Sequence, residues 1–173
     1  MRWVGLVRNV MLGREGLHRE VLLDGFRAAG ATDVRNHLTT GNVTFSADEA
    51  EAVGLQAEAA IAEVIGRHEP VILRDLAWLQ DFLDDNPFGP YVEGGRELEV
   101  GFLPLHVDVL DASALPDPEP TIVVHVGERE VATARPRQGN RRPHVVPLLE
   151  TFTGVKATAR SLSTLEKIVG HGS

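Results

Sequence analysis

Arginine is the residue type whose placement most suggests chemistry in this chain of 173 residues. Arg135, Arg137, Arg141 and Arg142 fall within eight residues that hold no acid, and His144 follows. Guanidinium forks match the geometry of phosphate and carboxylate, so the cluster is a candidate anion site. A solvated loop is the plainer reading, because arginines are mostly exposed. Other polar residues flank apolar segments: Arg8 and Asn9 after the first strand-like run, Asn42 in a Gly-Asn pair, and Arg160, Ser161 and Thr164 before the last amphipathic run. A helix start offers unpaired N–H groups and positive potential, so Arg160 and Thr164 beside one can receive an anionic group. The candidate ligand-binding set is therefore Arg8, Asn9, Asn42, Arg141, Arg142, Arg160 and Thr164. Structural roles compete at each: Ser161 or Ser163 as a helix cap, Asn42 as a turn residue, Arg8 as the partner of a buried acid.

Several chemistries are unsupported. The chain has no cysteine, which excludes disulfides, thiolate metal sites and a cysteine nucleophile. Its 7 histidines are widely spaced, with only His106 and Asp108 close together, so no local metal motif exists and no metal or cofactor is expected. There is no G-x-S-x-G and no Ser-x-x-Lys, and no catalytic constellation points to an enzyme. Gly13-Arg14-Glu15-Gly16 has Gly-x-x-Gly spacing but follows a strand-like run, without the two helices of a KH domain. A net charge of −8 argues against coating nucleic acid through its phosphates. The apolar run before Arg8 is too short for a signal peptide or a membrane span, and the expectation is a cytoplasmic protein with no membrane association.

The elements that must position these residues are legible from periodicity. Trp3 to Val7 reads as a buried strand. Leu17, Val21, Leu22, Gly25, Phe26 and Ala29 share a helical face, with Gly30 placed as a left-handed C-cap. Val34, Asn36 and Leu38 alternate, Gly41-Asn42 suggests a two-residue hairpin, and Val43 to Phe45 resumes a strand. Ser46 and Glu49 have capping-box spacing before a helix ending at Gly66, and Pro70 to Leu73 is a fourth strand. Asp75 can cap a third helix, which Asn86-Pro87 ends.

Phe88 to Arg96 is the most linker-like stretch and divides the chain into 1–88 and 89–173. Beyond it the spacing predicts a strand over Leu98 to Leu103, a helical segment around Val107 to Leu115, and a hairpin at Gly127-Glu128. A helix ended by Gly154, a strand over Val155 to Thr158 and a terminal helix from Leu162 follow. Both halves share the order βαββαβ, although no residue-level repeat is visible. Right-handed crossovers then give an α+β protein of two ferredoxin-like units, each an antiparallel sheet with helices on one face.

Four segments in order carry a family likeness. Trp3 to Gly13 is similar to a first strand reading YVALLRGINVGG, Thr40 to Ser46 to SGNVVFSS, Asn86-Pro87-Phe88 to NPF, and Ala157 to Ile168 to ATARNWNTVLKL. On these the chain resembles the bacterial family known as domain of unknown function 1697, over nearly its full length. The resemblance implies a duplicated ferredoxin-like fold and supplies no activity. Asn9, Met11 and Arg14 depart from the family's usual residues, as do Gly139 to Pro143, where a Ser-Lys pair is commoner. The expected function is a module that binds a small anionic ligand or a protein in a groove between the halves. Single-strand nucleic-acid binding, and an enzyme for a phosphorylated or carboxylated small molecule, are the alternatives. Low aromatic content and net acidity disfavour the nucleic-acid reading.

Overall fold

The computed structural model describes residues 1–116, 120–137 and 145–172. The protein is mixed α+β, with two four-stranded antiparallel sheets. It divides into two compact units, Met1–Asp81 together with the chain from Glu166 onward, and Phe82–Leu165.

In the first unit the order is β1 (Arg2–Val7), α1 (Arg19–Ala28), β2 (Thr32–His37), β3 (Asn42–Ser46), α2 (Ala50–Ile65), β4 (Val71–Asp75) and most of α3 (Leu76–Asp84). The strands lie in the order β2-β3-β1-β4 with every neighbour antiparallel. Gly5 fixes which face the helices cover, because a Cβ there would meet the Phe26 ring of α1 at 3.1 Å. Gly25 of α1 faces Ala57 and Ala60 of α2 at ordinary contact distance. Alternation puts Arg2, Val4 and Leu6 on the opposite face, which is buried as well at Val4, Leu6, Asn42, Thr44 and Ile72. A strand buried on both faces reads as an unbroken apolar run, as Val4 to Val7 does.

The second unit holds β5 (Glu97–Phe102), β6 (Ile122–Val126), β7 (Glu130–Arg135), α4 (Val145–Thr153), β8 (Thr158–Ser161) and the start of α5 (Leu162–Gly172). Its strand order, β6-β7-β5-β8, matches that of the first. Superposing the two registers reveals a residue-level repeat. Val4-Gly5-Leu6-Val7 corresponds to Val100-Gly101-Phe102-Leu103, and Arg74-Asp75-Leu76 to Arg160-Ser161-Leu162. Gly101 faces α4 as Gly5 faces α1, with an added Cβ 2.7 Å from Leu149 and 2.8 Å from Val145. Arg74 and Arg160 each donate from Nη1 to the carbonyl of the preceding residue, at 2.7 Å.

Several sequence expectations are corrected. No helix forms around Val107 to Leu115. Pro104 and Asp111 start turns instead, closed by Val107 N–H to Pro104 O and Ala114 N–H to Asp111 O. The Gly41-Asn42 pair is not a two-residue turn. Leu38 to Gly41 form the loop, Leu38 and Gly41 take positive φ, and Asn42 opens β3. Ser46 ends β3 and Glu49 precedes α2 without a side-chain cap bond, so there is no capping box. The last strand is Thr158–Ser161 rather than Val155 to Thr158, which moves Arg160 from a helix start into a sheet.

Candidate functional site

Around Glu69, at the end of β1 and before β4, the structure builds a charged knot. Glu69 is 4% exposed and accepts hydrogen bonds from Arg8 Nη1 at 2.7 Å, Asn9 Nδ2 at 3.1 Å and Arg67 Nε at 3.2 Å. Arg67 also pairs with Glu15 and donates to the Asn9 carbonyl at 2.9 Å. Burial pushes the Glu69 carboxyl upward, but the bonds from Asn9 and Arg8, then the charge of Arg8 and the bond from Arg67, outweigh it and hold the group below the usual carboxylate range. Arg8 and Asn9 thus serve an internal acid. Asn42 is buried and closes the β2–β3 loop, donating to His37 O at 2.9 Å and to Thr40 Oγ1 at 3.1 Å.

In the second unit Arg160 lies on the sheet face away from α4 and donates to Thr158 Oγ1 at 2.8 Å as well as to Ala159 O. Burial pushes its guanidinium down to about 10, still charged at neutral pH. Ser161 caps α5: its Oγ accepts the Thr164 N–H at 3.3 Å and lies 3.0 Å from Thr164 Oγ1. Arg135 is not a loop residue. It ends β7, is buried, pairs with Glu97 and places Nε 3.8 Å from Glu99. Arg141 and Arg142, with Gly139, Asn140 and His144, lie outside the described residues. Among the described residues no three histidine or acidic side chains gather as metal ligands, and no helix is long and apolar enough to cross a membrane.

Sequence reasoning passed over Glu69 and Arg67 of the charged knot, and also Arg2. Arg2 opens β1 opposite Ser46, on the sheet face away from α1 and α2. Its Nε and Nη2 are buried and have no hydrogen-bond partner among the described residues. Arg74, opposite Val4, and Arg35, opposite Thr44, share that face by register. Three arginines thus share one sheet face by register, and one of them has its side-on donor pair unsatisfied among the described residues. The signal was present: Arg2, Val4 and Leu6 alternate on one face, so a charge stands at a core-facing position.

The family model described as "Protein of unknown function (DUF1697)" matches residues 1–131. The chain belongs to the DUF1697 family. One solved structure, titled "The structure of conserved bacterial protein SP0830 from Streptococcus pneumoniae", is similar to this DUF1697 member at 15% identity and a TM-score of 0.69. The likeness covers 99% of this chain and 97% of that one, and at such identity it establishes a shared fold. Among curated proteins there is no match.

Proposed function

We propose that this protein is a small-anion-binding module whose ligand, a phosphate or carboxylate group, docks on Arg2 at the open end of β1. The observation that carries the reading is the buried, unsatisfied Nε/Nη2 edge of Arg2. Those two donors are the pair that engages both oxygens of a carboxylate or phosphate, and leaving them buried without an acceptor is costly. Ser46 stands directly across the ladder from Arg2 and brings a hydroxyl-bearing residue to the same register position. Each half is read as a ferredoxin-like unit: the strand order and all-antiparallel neighbours support this in both, and α1 and α2 following β1 and β3 support it in the first. The absence of cysteine supports a reducing, cytoplasmic location.

Thermal unfolding with phosphate, sulfate and simple carboxylates, compared between wild type and Arg2→Gln, tests the site. An anion at a hundred times its dissociation constant stabilises the folded state by about 2.7 kcal/mol. For a chain of this size that is a rise of roughly 5–10 °C. Wild type is expected to rise and folded Arg2→Gln to stay level, while Arg160→Ala keeps the rise. No rise in wild type, or an equal one in Arg2→Gln, overturns the assignment.

A further inference from the structure

Between β1 and β2 the first unit inserts α1, which lies along α2. At the equivalent place, between β5 and β6, the second unit has no helix among its described residues. The loop there packs Val107, Leu110 and Leu115 with Val145 and Leu149 of α4. A loop covers less of a helix flank than a helix does, and the end of α4 is left open: Phe152 is 36% and Val109 59% exposed. The result is a surface depression of about 460 Å³. That volume lies within the roughly 300–1,000 Å³ typical of small-molecule sites.

Among the described residues the lining includes the acids Asp108 and Asp111 together with His106. The Arg129 guanidinium beside it is engaged, with Nε donating to the Val107 carbonyl at 2.6 Å and Nη1 pairing with Glu128 at 3.1 Å. Asp111 accepts from the Ser113 hydroxyl at 2.6 Å and the Ser113 N–H at 2.9 Å, which hold its carboxyl below the usual carboxylate range. Asp108 is exposed and makes no hydrogen bond or ion pair among the described residues. The lining also includes the apolar side chains of Val107, Val155 and the partly exposed Phe152. A lining that combines carboxylates, apolar side chains and a partly exposed aromatic residue complements a cation that carries its own hydrocarbon.

We propose that this depression binds an organic ammonium ion with an apolar body, its charged head at Asp108 and the Phe152 ring and its body on Val107 and Val155. The site is separate from Arg2 in both chain position and the sign of its ligand, so neither proposal stands or falls with the other.

Choline and its neutral isostere 3,3-dimethyl-1-butanol are the probes, titrated into the intact protein and followed by amide chemical shifts in heteronuclear NMR. Choline is expected to move the resonances of residues 106–111 and 152–155 and to saturate, with the neutral alcohol at least about tenfold weaker, since it lacks the attraction to ring and carboxylate. Asp108→Asn and Phe152→Leu, both conservative in volume, are each expected to weaken choline roughly threefold to tenfold while unfolding like wild type. Phe152→Leu separates the aromatic face from simple burial. Absence of saturable shifts at these residues, equal binding of the alcohol, or unchanged affinity in both variants overturns the proposal.

Discussion

Glu69 is where the end of β1, the loop after it and the approach to β4 are tied together, and its protonation state matters more than that of any partner. Its folded pKa is depressed, so the knot's contribution is fully present above the ordinary glutamate range. It is lost as pH falls through the lower folded value. Glu69→Gln is expected to cost about 1–3 kcal/mol at neutral pH, discounted because Arg8 and Arg67 are 21% and 33% exposed. The gap between variant and wild type should close in acid, and chemical denaturation at stepped pH measures it. At Arg2 a crossing is expected. Arg2→Met removes a half-buried guanidinium whose Nε and Nη2 are buried, so in anion-free buffer it should be neutral or stabilising, whereas in saturating phosphate wild type should be the more stable. A variant less stable than wild type in both buffers would show that Arg2 is held by the fold alone.

The elements carry the repeat. Gly5 and Gly101 occupy the same register position on the central strands, each beneath a helix, yet the space differs. A Cβ at Gly5 meets a ring at 3.1 Å, and one at Gly101 meets Leu149 at 2.7 Å and Val145 at 2.8 Å. Gly101→Ala is therefore expected to cost about 1–3 kcal/mol and Gly5→Ala less, as read from urea midpoints. At the β2–β3 loop Gly41 has φ of 69° and a Cβ there would sit 2.5 Å from Val10, so Gly41→Ala should be at least as damaging. Local chemistry made some elements readable in advance. Gly66 ends α2 with φ of 72°, and Asp75 accepts the Ala77 N–H at 2.7 Å to start α3, both as the residue types suggest. The β8 boundary was less readable, because Val155 looks like a strand residue while Arg160 and Ser161 look like a helix start. Ser161 does cap α5, but pairing with β5 draws Arg160 into the sheet.

For the whole molecule, α5 begins in one unit and from Glu166 onward is counted with the other. Ile168 and Val169 are buried, and Gly172 sits against Leu76 and Thr44, where a Cβ would lie 3.3 Å from each side chain. Removing the chain from Glu166 onward should lower amide-exchange protection in β3 and β4, while the β5–β7 ladder retains more of its own. Equal loss in both sheets would show that the units do not open separately. Residue types and their periods, read alone, determined the α+β class, the order of elements in the first half and the helix ends at Gly30, Gly66 and Gly154. Those features depend on φ preferences and on which faces are apolar, and both are properties of short segments. Only tertiary structure decided that Arg8 serves Glu69, that Arg160 lies in a sheet, that Arg2 is left with unsatisfied donors, and that a loop replaces a helix beside α4. Each of those turns on which partner a polar group meets across the fold, and partners distant in sequence leave no mark on local spacing.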